Sequence, residues 1–509
     1  MSTSSVERFL PAAVSQLCFG ARPALSALRA RSPATTLPGL RRLRPTPAVP
    51  ADLAAGLAAI RSEHAVPGDF PAAVAEEAEA AARSPRLPDE DRRDVELFTL
   101  DPAGSRDLDQ AVALERRADG YRVHYAIADV AAFVTPGGAV DAEAHRRVMT
   151  RYLPDGNAPL HPRVLSEGAA SLLPGQDRPA LLWTFELDGR GGRTAFDVRR
   201  AVVRSREQLE YASADAAEGD DRLVLLREVG ALLRARERAR GAISLPVPEQ
   251  EIVLRDGRYS LEACGPLPIE DDNAQISLLT GMTAAELMLA GGSGLLRTLP
   301  PAPPDAEQRM RRVARALGVD WPAAEPLGDL VRRLDALRAT EAALIEEATS
   351  LLRGAGYAAF SGAAPEQPLH AGIGAPYAHV TAPLRRLADR YAAEAALAAH
   401  QGVAPPQWVL DAIPRLPEEM TAGGRAAGTV ERACVDLVEA LLLSSRVGEE
   451  FAALVIDRMG KNAVEIQLAD PPVRAACAEP APDPGEDVIA RLVTADPQRR
   501  AVRFEAVGP

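Results

Sequence analysis

Phe98-Thr-Leu-Asp101-Pro102-Ala-Gly-Ser-Arg106-Asp107-Leu-Asp109-Gln110-Ala-Val112 is the stretch whose reading decides the fold. Val95, Leu97 and Phe98 lead into it and Ala111, Val112 and Leu114 lead out, so three carboxylates occupy a loop pinned between two predicted strands. Like charges held this close repel. A rigid acidic loop therefore needs a cation, or Arg106, to neutralise it. Oxygen-only ligation suits magnesium, with manganese as the alternative, and not zinc. An Asp-rich turn capping the next element would give the same letters, and spacing alone supports the two readings equally. The loop is no EF-hand, because counting from Asp101 or Asp107 finds no Gly sixth and no Glu twelfth.

Composition narrows the classes. The chain has 509 residues, 47% hydrophobic and 25% charged, as expected for a soluble globular protein of several domains. A net charge of −13 argues against a surface coated in nucleic acid, so any RNA site has to be a local basic channel. Basic residues are almost all Arg, whose planar fork suits phosphate. Cys18, Cys264, Cys434 and Cys477 lie far apart and form no CxxC pair, so neither a zinc ribbon nor a disulfide framework is indicated, and a reducing cytoplasm fits.

Before the acidic loop, residues 1–50 read as a disordered or mis-assigned tail, although an organelle presequence has a similar composition. The apolar spacing in residues 51–90 predicts two short helices separated by Pro67-Gly68. Downstream, alternation of Tyr121, Val123, Tyr125 and Ile127 predicts a strand. The charge-poor run from Ile276 to Leu296 has Glu286 at its middle, so it reads as a buried helix of a large domain and not a membrane span. In Tyr377-Ala-His379-Val-Thr381-Ala382-Pro383-Leu384-Arg385-Arg386-Leu-Ala-Asp389, Thr381 is the predicted N-cap, placing both arginines at a helix N-terminus where an anion would share the site. A solvated Arg pair neutralised by Asp389 explains the same letters equally well. The C-terminal residues predict short strands at 451–455, 463–468, 488–493 and 501–506.

Taken together, these motifs resemble the ribonuclease II/ribonuclease R (RNB) family. Its Thr-Ile-Asp-Pro strand end and following acidic cluster match Asp101, Asp107 and Asp109, with Gln110 where the family has a fourth Asp. The likeness continues through Tyr152-Leu-Pro-Asp-Gly, Pro159-Leu-His-Pro-Arg-Val-Leu-Ser166, the segment ending in Tyr211, the Tyr377–Asp389 motif and Val430-Glu431-Arg432. It implies an α+β fold: a mixed-sheet RNB catalytic domain over 91–444 with surrounding helices, a small helical N-terminal region over 51–90 and an OB-type β-barrel over 445–509. Too little chain precedes the catalytic domain for the cold-shock barrels usual in the family.

The resemblance implies a magnesium-dependent 3′→5′ exoribonuclease that releases 5′-mononucleotides from single-stranded RNA. Asp101, Asp107, Asp109 and Gln110 would face the metal, and Asp107, Asp109 and Arg385 would carry the chemistry. Tyr152, Tyr211, Leu245, Arg386 and Glu431 would contact RNA, Leu245 standing where the family commonly has a base-clamping Phe. No nucleotide cofactor or membrane is implied, and a cytoplasmic monomer is expected. An RNA-binding protein that has lost hydrolysis with its fourth Asp is the alternative.

Overall fold

The computed structural model describes residues 51–507, apart from 218, 246–248, 256–257, 265–266, 304–305, 336–337, 353, 460–462, 472 and 479–481. The tail over residues 1–50, and whether it is disordered, lies outside the described residues. Both helices expected next are present, Ala51–Glu63 and Ala72–Arg83. They bury Leu53, Leu57 and Ile60 on one and Val74 and Ala78 on the other.

Strands Leu97–Asp101, Gln110–Arg117, Gly120–Ala128, Asp177–Asp188 and Arg193–Glu210 form a closed barrel. Strand alternation sends side chains to two separate cores. Val123, Tyr125 and Ile127 join Phe98 and Trp183 in a cluster shared with helices Pro268–Gly291 and Leu387–His400. Ala126 and Ala128 join Leu97, Ala111, Leu182 and Val203 in the second. Neighbouring strands pair antiparallel except at the closure, where Leu97–Asp101 runs parallel to the strand ending at Glu210. The sheet is thus mixed, as expected.

Helix Pro268–Gly291 fills most of the charge-poor run, and no helix among the described residues is long and apolar enough to cross a membrane. Glu286 points outward and pairs with Arg193. Gly281 is required by a close approach, since a Cβ there would come within 2.2 Å of the Tyr377 ring. The Ala-rich helix Leu387–His400 is buried from Leu387 through Ala398. At the C-terminus, Glu450–Arg458, Ala463–Leu468, Arg474–Ala478, Asp487–Asp496 and Ala501–Ala506 close a second barrel. Strand Arg474–Ala478 escaped the pattern reading because Arg-Ala-Ala-Cys-Ala carries no β-branched or aromatic residue.

Candidate active site

The acidic loop is fixed at both ends and at its middle. Asp101 ends its strand opposite Glu210, and Gln110 begins the next opposite Ile127. Between them Leu108 is buried, its N–H donates to Ser171 Oγ at 3.0 Å, and Ser171 donates in turn to the Arg106 carbonyl at 2.6 Å. Asp107 is half-buried while Asp109 is buried.

Burial raises the pKa of both flanking carboxylates. Asp101 is pushed up to about 6 and Asp109 to about 7, Arg385 opposing the shift and the Asp107 charge adding to it. The cation that bears on the loop is Arg385, not Arg106. Arg385 Nε donates to Asp109 Oδ2 at 2.8 Å, and the Leu384 N–H donates to Asp109 Oδ1 at 2.8 Å. The Arg385 side chain remains 45% exposed, leaving much of its fork open to a ligand.

Among the described residues no three His, Cys, Asp or Glu side chains are drawn together as a ready metal cage. The donor chemistry still fits a hard cation. All donors are oxygens, Asp101 Oδ2 is buried without a hydrogen-bond partner, and an ion would restore the charge that burial suppresses. Gln110 departs from the expected metal role. Its Nε2 donates to the Thr381 carbonyl at 2.6 Å and its Oε1 accepts from the Tyr125 hydroxyl, so both ends of the amide are committed to protein.

The arginine turn also differs from expectation. The helix starts at Leu387, not after Thr381, because Arg386 is held extended by a bridge to Met149. Asp389 reaches back to accept from the Ala382 N–H at 2.7 Å and takes both Arg386 Nε and Nη2, at 2.9 and 2.8 Å. Arg386, expected on RNA, therefore spends its fork on a fully buried carboxylate.

Tyr152 is exposed and donates to Asp107 Oδ2 at 3.3 Å, placing its ring at the mouth of the acidic loop. Tyr211 follows the closing strand, accepts from Asn273 Nδ2 at 3.3 Å and lies within electrostatic reach of Asp101 and Arg385. Glu431 lies on helix Leu416–Leu443, where Val430 and Cys434 pack with Leu153 beside Tyr152. Leu245 goes elsewhere. With no ring to stack, it packs half-buried against a helical cluster containing Met310, Leu330 and Leu344. Sequence reasoning missed Tyr125, Asn273, Ser277 and the Thr381 carbonyl. Only the strand alternation, which turns Tyr125 inward, hinted at any of them.

An oxygen-donor loop facing an anchored arginine can hold a phosphate between a hard cation and a guanidinium, which defines a phosphoryl-transfer type of site. The RNB domain model matches residues 89–399, and the model of the RNase II-type exonuclease C-terminal S1 domain matches 449–507. The chain belongs to the RNB family. Ribonuclease R of Vibrio parahaemolyticus is 27% identical over 399 residues, covering 72% of this chain and 47% of that protein. The chain thus spans about half the length of the curated relatives it matches. In fold it is similar to Mycoplasma genitalium RNase R in complex with ribose-methylated single-stranded RNA, with a TM-score of 0.79, 18% identity, and 90% of this chain and 78% of that one covered. It is also similar to yeast Ssd1, a pseudonuclease, at a TM-score of 0.63, 15% identity, and 84% and 54% coverage.

Proposed function

We propose that this protein is a magnesium-dependent 3′→5′ exoribonuclease that hydrolyses single-stranded RNA to 5′-mononucleotides. The observation that carries this reading is the meeting of Asp101, Asp107 and Asp109 with Arg385 in a chain of the RNB family. A divalent ion held by these carboxylates would supply Lewis-acid charge and a water acidic enough to attack.

The chain's own residues do the rest. Asp109 orients Arg385 through Nε and so presents the rest of the fork to the phosphoryl oxygens, where negative charge builds up. The Leu384 N–H fixes the rotamer of Asp109, so the guanidinium does not wander. Tyr152 offers an exposed ring on which a terminal base can stack, and Tyr211 lies within electrostatic reach of Asp101. Glu431 and the C-terminal barrel are proposed to contact RNA. No nucleotide cofactor is required, and a cytoplasmic monomer is proposed.

A second reading is favoured by Gln110. With an amide committed to protein partners where the family pattern has a carboxylate, the scaffold could bind RNA without cleaving it, and a pseudonuclease is among its structural neighbours. Incubating the purified protein with end-labelled poly(A) and magnesium separates the two. Mononucleotides released from the 3′ end support the exonuclease, whereas a gel shift without products assigns the protein to binding alone.

A further inference from the structure

Both ends of the Gln110 amide are held by protein partners. Tyr125 donates to Gln110 Oε1, Gln110 Nε2 donates to the Thr381 carbonyl at 2.6 Å, and the Thr381 hydroxyl lies 2.8 Å from Ser277 Oγ, close enough for Ser277 to bear on the Tyr125 hydroxyl. Only one orientation of the amide satisfies both ends. A backbone carbonyl can only accept, so the Gln110 nitrogen must face Thr381. Its oxygen must then face the Tyr125 hydroxyl, which donates to it. These contacts join two barrel strands, helix Pro268–Gly291 and the arginine turn.

We infer that Gln110 is a positioning residue: it ties the acidic loop to the turn carrying Arg385 by an amide strut that needs no metal. A carboxylate at this position has no N–H for the Thr381 carbonyl and would set oxygen against oxygen. Asp109 and Gln110 are adjacent, and both reach the same turn, one through Leu384 and Arg385, the other through Thr381. The acidic loop and its arginine are thereby held together before any ion arrives. The kinetic arm of this inference rests on the exoribonuclease reading; its stability arm does not.

Gln110→Glu keeps length and the acceptor for Tyr125 and removes only the donor to Thr381. Melting is followed in EDTA, and kcat and KM on labelled poly(A) are taken at a temperature where the variant is fully folded. The strut predicts a lower metal-free melting temperature together with a kcat reduced roughly ten- to hundredfold at a KM within about threefold of the parent, since the arginine is misplaced but RNA contacts persist. A metal-ligand role predicts the reverse, because the added charge would tighten the ion and raise kcat. An unchanged metal-free melting temperature, or a kcat at or above the parent's, overturns the inference. Should Gln110→Glu fail to fold, Tyr125→Phe, which deletes the donor to Gln110 Oε1, is judged by the same criteria with smaller effects in the same direction. If the parent releases no nucleotides the exoribonuclease reading fails, and the melting comparison still decides the strut.

Discussion

Asp109 accepts from Arg385 Nε and from the Leu384 backbone N–H, both at 2.8 Å, so one buried carboxylate sets the position of the arginine turn as well as its charge. Those two bonds make the effects of substituting either partner distinguishable.

Asp109→Asn removes a charge that faces both the proposed ion and Arg385. We expect cleavage to fall by roughly 10²–10³, as for loss of one charge-stabilising group, with RNA affinity within a few fold. Cleavage and binding are measured on one preparation. Retention of more than about a tenth of the parent rate would place the chemistry elsewhere.

Arg385→Lys and Arg386→Lys should part company. The first keeps a charge but loses the fork between Asp109 and phosphate, so turnover should drop well over tenfold while binding changes little. The second breaks a bidentate pair to a carboxylate with no exposure to water, so it should lower the melting temperature, by an amount equivalent to roughly 1–3 kcal/mol. Equal kinetic losses in the two variants would make the pair a generic basic surface.

Tyr152→Ala should leave longer limit products after exhaustive digestion. A short oligomer has few phosphates to hold it, and an exposed ring contributes about 1–3 kcal/mol of stacking per base. An unchanged ladder of end products would confine Tyr152 to its hydrogen bond with Asp107.

His161 gives a pH test that needs no RNA. Burial pushes its pKa down to about 3, its Nδ1 has no partner, and it is hydrogen-bonded to the Pro383 backbone. A histidine with a folded pKa below its unfolded value near 6.5 takes up protons preferentially when unfolded. Its contribution to stability is therefore fully present above about pH 6.5 and declines as pH falls toward 3. At pH 5 the loss amounts to roughly 2 kcal/mol. His161→Gln should narrow the gap between melting temperatures at pH 7.5 and pH 5, and an undiminished gap would show that protonation of other groups dominates. His124, His370 and His379 are shifted in the same direction.

The acidic loop and its flanking strands were legible because period-two alternation and a run of Asp are local signals, carried by neighbouring residues. Thr381-Ala-Pro looked like a helix start for equally local reasons, yet the helix begins at Leu387 because a bridge from Met149 and bonds from Asp109 arrive from elsewhere in the chain. Arg386 could be read as ligand-facing or as the partner of Asp389 with equal justification, and only the folded geometry chose the second. Gln110 stood out as a break in the motif. Its partners Tyr125, Ser277 and Thr381 come from three other segments, and no spacing rule links them.

The parallel closure of the first barrel bears on the time of synthesis. Strand Leu97–Asp101 has no closing partner until Ser205–Glu210 has been made, and Asp109 meets Arg385 only 276 residues later in the chain. At about 5–20 residues per second that interval is roughly 14–55 s of translation. Through that interval the nascent chain carries its carboxylates without the arginine that completes the site. On the proposed exoribonuclease reading, the site cannot assemble on the nascent chain until the arginine turn has left the ribosome.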